Sequence, residues 1–261
     1  MELGLQGKRA IVTGGSKGIG LATATRLAME GARVAIVARR PDGLQAAHDA
    51  ILALAPGATV VRVSADVSSP QGATEAVERA VAELGGLDIV VNNAGTAAAG
   101  PFLNHSDETW QADLDLKLFG AIRVSRLAIP HLQQAGGGRI VNVTAIGGKA
   151  PGPGSAPSSV SRAAGLALTK VLSKELARDD ITVNAVCIGL IESEQIERAA
   201  RARAGDASLE EGYRLMGEAV PLRRVGKPAE AGDVIAFLCS ERAAYVTGVA
   251  INIDGGMSAV I

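Results

Sequence analysis

Short apolar, β-branched runs alternate along this chain with longer stretches of helical period. The runs at residues 8–13, 33–38, 59–65, 89–92, 139–144, 182–186 and 249–253 are nearly continuous. Such runs fit parallel strands that are covered on both faces. Between them, residues 18–30, 42–54, 70–84, 107–134, 155–178 and 228–240 have helical period or composition. Ser106 reads as an N-cap, and Pro70 and Pro228 suit first helical turns. Strand and helix in alternation predict an α/β fold of Rossmann type, a doubly wound parallel sheet with helices on both faces. In that class, ligand groups gather at the carboxyl ends of the strands. No linker or short-period repeat breaks the pattern, so residues 1–261 read as a single domain. Residues 190–221 are polar and rich in Ala and Arg. They form either a mobile lid over a site or a surface insertion, and their position favours the lid.

The first strand runs into Thr13-Gly14-Gly15-Ser16-Lys17-Gly18-Ile19-Gly20, and a helix starts directly after it. Glycines let a backbone turn sharply and approach a pyrophosphate closely, and the helix beyond offers unpaired N–H groups to an anion. A plain tight turn has the same composition. The flanking strand and helix favour the phosphate cradle. The second strand closes on Ala38-Arg39-Arg40, with no acid to meet a ribose 2′-hydroxyl. Two arginines there, with Lys17 as a further cation, predict NADP(H) over NAD(H), since a guanidinium grips a phosphate bidentately. The alternative is a pair of solvated surface arginines. The third strand closes on Asp66-Val67, where Asp66 either accepts from an adenine amino group or caps the helix that starts at Pro70. The fourth closes on Asn92-Asn93-Ala94-Gly95, small enough for close approach to a ribose and able to bond neighbouring strands.

Composition narrows the partners. A net charge of −1 over 261 residues gives no electrostatic reason to expect nucleic acid or an anionic membrane. No apolar run approaches the roughly 20 residues of a membrane span, and the N-terminus lacks a signal-peptide layout. Cys187 and Cys239 show no metal spacing and read as buried thiols of a cytoplasmic protein. His48, His105 and His131 lie away from strand ends and read as surface residues. Aromatics are one Trp, two Tyr and three Phe, which leaves few candidates for a phenolic acid.

With these residues in place, the chain resembles the short-chain dehydrogenase/reductase family over nearly its whole length. The likeness rests on Thr13-Gly14-x-x-x-Gly18-x-Gly20, Asp66-Val67, Asn92-Asn93-Ala94-Gly95, Val183-Asn184-Ala185-Val186, Tyr245-Val246-Thr247-Gly248 and Asp254-Gly255-Gly256. The resemblance implies a seven-stranded sheet, a nicotinamide cofactor, a small carbonyl or alcohol substrate and a homo-oligomer, tetramer or dimer. It implies cofactor contacts from Gly14, Ser16, Lys17, Gly18, Ile19, Gly20, Asp66, Val67, Asn93, Ala94 and Gly95. Ile188-Gly189-Leu190-Ile191-Glu192-Ser193 matches a loop that usually reads Pro-Gly-x-x-x-Thr. Gly189 and Ile191 would line the nicotinamide, and Ser193 keeps a hydroxyl for the carboxamide.

The family's proton-transfer set is an Asn, a Ser, a Tyr and a Lys, and the chain departs at all four positions. Aligning Leu168-Thr169-Lys170 with the family's helix puts Ser158 in the Tyr position, Arg162 in the Lys position and Ala145 in the Ser position. Lys117 stands where the Asn belongs. Thr144 should face the other way on its strand. Tyr245 belongs to the C-terminal motif, and Tyr213 reaches a substrate only if the lid folds inward. Ser158 alone is too weak an acid for work near neutrality, and Arg162 stays protonated while able to bond ribose hydroxyls. Lys117, buried beside Arg162, either acts as the acid with Ser158 donating to substrate, or fills the gap paired with a carboxylate or backbone carbonyls. Two functions follow. One is an NADP(H)-dependent oxidoreductase with a rebuilt proton-transfer set. The other is an inactive NADP(H)-binding homologue that serves as a sensor or assembly subunit. The polar and cationic replacements favour the enzyme.

Overall fold

All seven apolar runs become strands of one parallel sheet: β1 (Arg9–Thr13), β2 (Arg33–Ala38), β3 (Val60–Ser64), β4 (Ile89–Asn92), β5 (Gly138–Ala145), β6 (Ile181–Ile188) and β7 (Ala250–Ile253). The structure, a computed structural model, describes residues 2–261. Strand order is β3-β2-β1-β4-β5-β6-β7. The chain therefore winds outward from β1 in one direction and then restarts at β4 on its other side. The reversal opens a crevice at the carboxyl ends of β1 and β4, where a doubly wound sheet takes its ligand.

The helices are α1 (Gly18–Met29), α2 (Pro41–Leu54), α3 (Pro70–Leu84), α4 (Asp107–Leu114), α5 (Gly120–Gln134), α6 (Ser158–Glu175), α7 (Glu194–Ala204), α8 (Leu209–Gly217) and α9 (Pro228–Cys239). Both sheet faces are apolar, so alternate residues of one strand enter different cores. Ala10 and Val12 pack with Leu27 of α1, Ile51 of α2 and Ile235 of α9. Ile11 packs with Val77 of α3 and Val124 and Ala128 of α5. This two-sided burial explains why the strands read as unbroken apolar runs. No described helix is long and apolar enough to cross a membrane.

The structure differs from the sequence pattern in four places. The helix expected over 107–134 is broken by a π turn, Asp115–Phe119, between α4 and α5. Such a turn accommodates an extra residue and re-aims side chains; here it carries the buried Lys117. The helix expected from residue 155 begins at Ser158, because Pro157 has no N–H to donate and restricts the residue before it. Residues 190–221 contain α7 and α8, each started by a serine cap. Ser193 Oγ accepts from Ile196 N at 3.2 Å and Ser208 Oγ from Glu211 N at 3.2 Å. Asp66 does not cap α3: Ser69 Oγ accepts from Gly72 N at 3.0 Å, and Asp66 Oδ1 instead accepts from Ser68 N and Oγ at 3.0 and 2.7 Å.

A buried polar chain ties the sheet to its helices beneath the crevice. Asn92 Nδ2 donates to Asn142 Oδ1 at 2.8 Å and to Ser125 Oγ at 3.0 Å, and Asn142 Nδ2 donates to Thr169 Oγ1 at 2.9 Å. Asn142→Ala removes the central link and leaves buried groups short of partners. It should lower unfolding stability by about 1–3 kcal/mol, read as a reduced urea midpoint with an unchanged slope.

Candidate active site

The crevice is a cleft of about 1110 Å³ bounded by the glycine loop, the ends of β2 to β6, the start of α6 and the first turns of α7. Gly14 and Gly18 have φ values of +65° and +53°, which favour glycine. A side chain at Gly20 would run into the Gly14 carbonyl and the Asn93 amide. Asn93 holds the loop: its Nδ2 donates to Thr13 O at 3.0 Å and to Gly14 O at 3.2 Å. Thr13 Oγ1 accepts from the backbone N–H groups of Asn93 and Ala94 at 3.0 and 3.1 Å. Helix α1 starts at the cleft wall with an extended Lys17 as N-cap and no side-chain cap. Its positive end is thus left open to an anion.

Ser16, Lys17, Gly18, Ile19, Arg39, Arg40, Asp66, Val67, Asn93, Ala94 and Gly95 all line this cleft, with Gly189, Ile191 and Ser193 on the opposite wall. Gly20 lies behind the lining, in the first turn of α1. Arg39 and Arg40 are exposed, and among the described residues neither forms an ion pair. Lys17 reaches across to Glu194 of α7, a contact between distant residues that the sequence did not reveal. Gly189 is dictated by packing as well, since a Cβ there would lie 2.5 Å from Asp254 Cβ.

At the inner end of the cleft, Lys117, Ser158 and Arg162 come together. Lys117 Nζ donates to Ser158 Oγ at 2.7 Å and forms a buried ion pair with Asp113 Oδ1, both side chains being 1% exposed. Burial pulls the Lys117 ammonium below its ordinary value; Asp113 works against that fall and Arg162 adds to it. Ser161 Oγ donates to Asp113 Oδ2 at 2.6 Å. The Ser158 oxygen also accepts from Ala98 N at 3.0 Å. A hydroxyl oxygen offers two lone pairs, and both are taken. The Ser158 hydrogen is therefore left to donate elsewhere, and Ser158 itself lines the cleft.

Arg162 Nη1 donates to Val143 O at 2.6 Å. A Cβ on Gly95 would stand 2.9 Å from Arg162 Nη2, so the glycine clears the space the guanidinium occupies. Burial lowers the Arg162 value, with Asp113 opposing, and the group remains charged. Thr144 lies along the cleft, but its hydroxyl is buried and donates to Val186 O at 3.0 Å, while Ala145 brings no hydroxyl to the cleft. Tyr213 and Tyr245 do not line it; Tyr213 sits on α8, where burial and then Glu192 raise its phenol. The three histidines do not line it either. They are half-buried rather than fully on the surface. Among the described residues no cluster of His, Cys, Asp or Glu could hold a metal ion.

The sequence reading missed Asp113, Ser161 and the Ala98 N–H. Asp113 lies four residues before Lys117, the spacing of a helical ion pair, so its signal was present. Ser161 and Ala98 meet the site only through the packing of α6 against the loop after β4.

A family model described as enoyl-(acyl carrier protein) reductase matches residues 14–258. Oxidoreductase UcpA of Escherichia coli (strain K12) is 34% identical over 253 residues, covering 97% of this chain and 95% of that protein. L-Sorbose reductase from Gluconobacter frateurii, complexed with NADPH and L-sorbose, superposes with a TM-score of 0.95 at 34% identity, covering 100% of each chain. A short chain oxidoreductase from Pseudomonas aeruginosa PAO1 containing an atypical catalytic center gives a TM-score of 0.94 at 35% identity, covering 99% of this chain and 100% of that one. Likeness at this level over whole chains, joined to the sheet order and the glycine crevice, means that the chain belongs to the short-chain dehydrogenase/reductase family of oxidoreductases.

Proposed function

We propose that this protein is an NADP(H)-dependent reductase or dehydrogenase that interconverts a carbonyl and an alcohol, with Ser158 and Lys117 handling the proton. The observation that carries the reading is the Ser158 hydroxyl, which lines the cleft and whose oxygen accepts from both Ala98 N and Lys117 Nζ, so that its own hydrogen is free to be donated.

The residues present fit a phosphorylated dinucleotide. The uncapped start of α1 and a loop that excludes side chains suit a pyrophosphate. Arg39 and Arg40, which form no ion pair among the described residues, suit a 2′-phosphate, and Lys17 stands nearby once released from Glu194. Asp66 and Val67 would meet the adenine, Asn93 to Gly95 and Arg162 the riboses, and Gly189, Ile191 and Ser193 the carboxamide end. NADPH in the L-sorbose reductase and in a second structure of the Pseudomonas oxidoreductase, TM-score 0.91, supports the same nucleotide here. Such a nucleotide exchanges a hydride with the carbonyl carbon.

The chain's own task is the proton. The Lys117 side chain is almost sealed from the cleft, so it acts through Ser158 rather than on the substrate directly. Ser158 Oγ passes its hydrogen to the substrate oxygen and takes one from Lys117 Nζ. The adjacent ammonium removes the need for a free alkoxide, which an isolated serine would have to form. Residues 190–221 serve as the lid, since Ile191 to Arg198 form one wall of the cleft. Exposed Phe119, Val160 and Val171 leave apolar surface that a homo-oligomer would cover.

Two measurements test this reading. Fluorescence titration should show NADPH binding more tightly than NADH. Replacing Arg39 and Arg40 together by Ala should weaken NADPH by about 10–100-fold and NADH far less, whereas equal losses contradict the 2′-phosphate assignment. In a screen of ketones and alcohols that includes ketoses, Ser158→Ala and Lys117→Met should each lower kcat by about 100-fold or more, with NADPH binding retained. Binding without turnover of any compound in the wild type would instead favour a non-catalytic role.

A further inference from the structure

Asp113 is a carboxylate buried outside the cleft lining, on a helix with no other link to the chemistry. Its oxygens are divided between two tasks. Oδ1 takes the Lys117 ammonium, and Oδ2 takes the Ser161 hydroxyl at 2.6 Å. The π turn presents Lys117 to both Asp113 and Ser158, and Ser158 and Ser161 lie one helical turn apart on α6. Four side chains from three elements thus form one line: Ser161, Asp113, Lys117, Ser158.

We infer that Asp113, held in place by Ser161, is a positioning residue that keeps Lys117 protonated and aimed at Ser158, and so makes the pair a proton donor rather than a nucleophile. This rests on the proposed roles of Lys117 and Ser158. A neutral lysine beside a serine would act as a base and draw the hydroxyl proton, freeing the oxygen to attack. A charged lysine has no lone pair and can only give. Burial alone favours the neutral amine, and the facing guanidinium of Arg162 pushes the same way. Asp113 is the opposing anion. The other charged groups near the turn, Asp115 and Arg123, pair with each other at 2.9 Å. Cys187 faces Arg162 from β6.

The proton balance is closed. The Ser158 O–H bond breaks as the substrate oxygen gains hydrogen, and a Lys117 N–H bond breaks as Ser158 is restored. Lys117 is left as a neutral amine and recovers its proton back through Ser158 Oγ, from water that enters the cleft after the product leaves. The electron pair is the hydride already assigned to the bound nucleotide. Asp113 remains a carboxylate throughout.

Asp113→Asn tests the inference without removing hydrogen-bonding capacity. Carbonyl reduction needs protonated Lys117, so the rate is present below the lysine value and lost as pH rises through it. Without Asp113 that value falls further, and the loss should come at lower pH than in the wild type. Near neutrality kcat should drop about 100-fold with NADPH affinity unchanged, and Asp113→Glu should return the pH limb toward its wild-type position. A second readout needs no nucleotide. Between the folded and unfolded lysine values the unfolded chain binds more protons, so stability rises with pH. In Asp113→Asn that rise should begin at lower pH and continue to about 10.4, seen in urea midpoints. Ser161→Ala removes no charge and should fold, with kcat about fivefold lower. If Asp113→Asn does not fold, Ser161→Ala and Asp113→Glu carry the test. Wild-type kcat in Ser161→Ala, or an Asp113→Glu limb far from the wild-type position, then overturns the inference. Wild-type pH profiles in Asp113→Asn, alongside lost turnover in Lys117→Met, would overturn it while sparing the Lys117 assignment. Undiminished turnover in Lys117→Met would remove the assignment itself.

Discussion

An ammonium sealed from water keeps its charge only if an anion is sealed in with it. That constraint organises the inner end of this cleft. Lys117 and Asp113 lie one helical turn apart by sequence, with a π turn beginning between them. The turn lets the lysine meet Asp113 on one side and Ser158 on the other. Removing either ion from such a buried pair costs about 3–5 kcal/mol, because the survivor is left uncompensated. The pair therefore does not stand as a simple gain in stability. In the mechanism we propose, its effect is to place a charged donor behind a serine that would otherwise be too weak an acid.

The rest of the fold prepares the opposite end of the same cleft. Parallel strands require crossover helices, and reversal of winding between β1 and β4 leaves their carboxyl ends uncovered. The loop after β1 can approach a ligand with its backbone because its glycines carry no side chains, and Asn93 fixes it from the neighbouring strand end. Cations are drawn to that end: Arg39 and Arg40 from β2, Lys17 from the loop. Glu194 answers Lys17 from α7. Charge at one end suits phosphate, and the shielded ammonium at the other marks where we propose a carbonyl oxygen is met. One cleft joins the two.

Much of this was legible in the residues. Unbroken β-branched runs such as Arg33–Ala38 announce two-sided burial, and the Arg39-Arg40 pair falls where strand ends must face a ligand. Arg162 and Ser158 were recognisable on the helix that follows β5. Other features were hidden for physical reasons. The π turn needs no special residue, and the one-residue shift it puts into the apolar period is too small to stand out over so short a stretch. Helix α7 is strongly polar, so hydropathy conceals it, whereas α8 is short and amphipathic and its start is marked by Ser208 and Glu211 at the spacing of a capping box. Asp113 was overlooked because a lysine four residues on, in a helix, usually marks a solvated face. Only packing against α6 shows that both are buried. The Gly95–Arg162 fit likewise depends on a contact across many residues.

The charge on Lys117 is the most direct point of attack. Nitrogen-15 NMR of the side-chain amines, with the Lys117 signal assigned by its loss in Lys117→Met, reads that charge in the protein alone. At about pH 7 the account predicts an ammonium signal that titrates below the ordinary lysine value of about 10.4. A neutral amine at that pH would contradict it, because a serine backed by an uncharged lysine cannot serve as the proton donor.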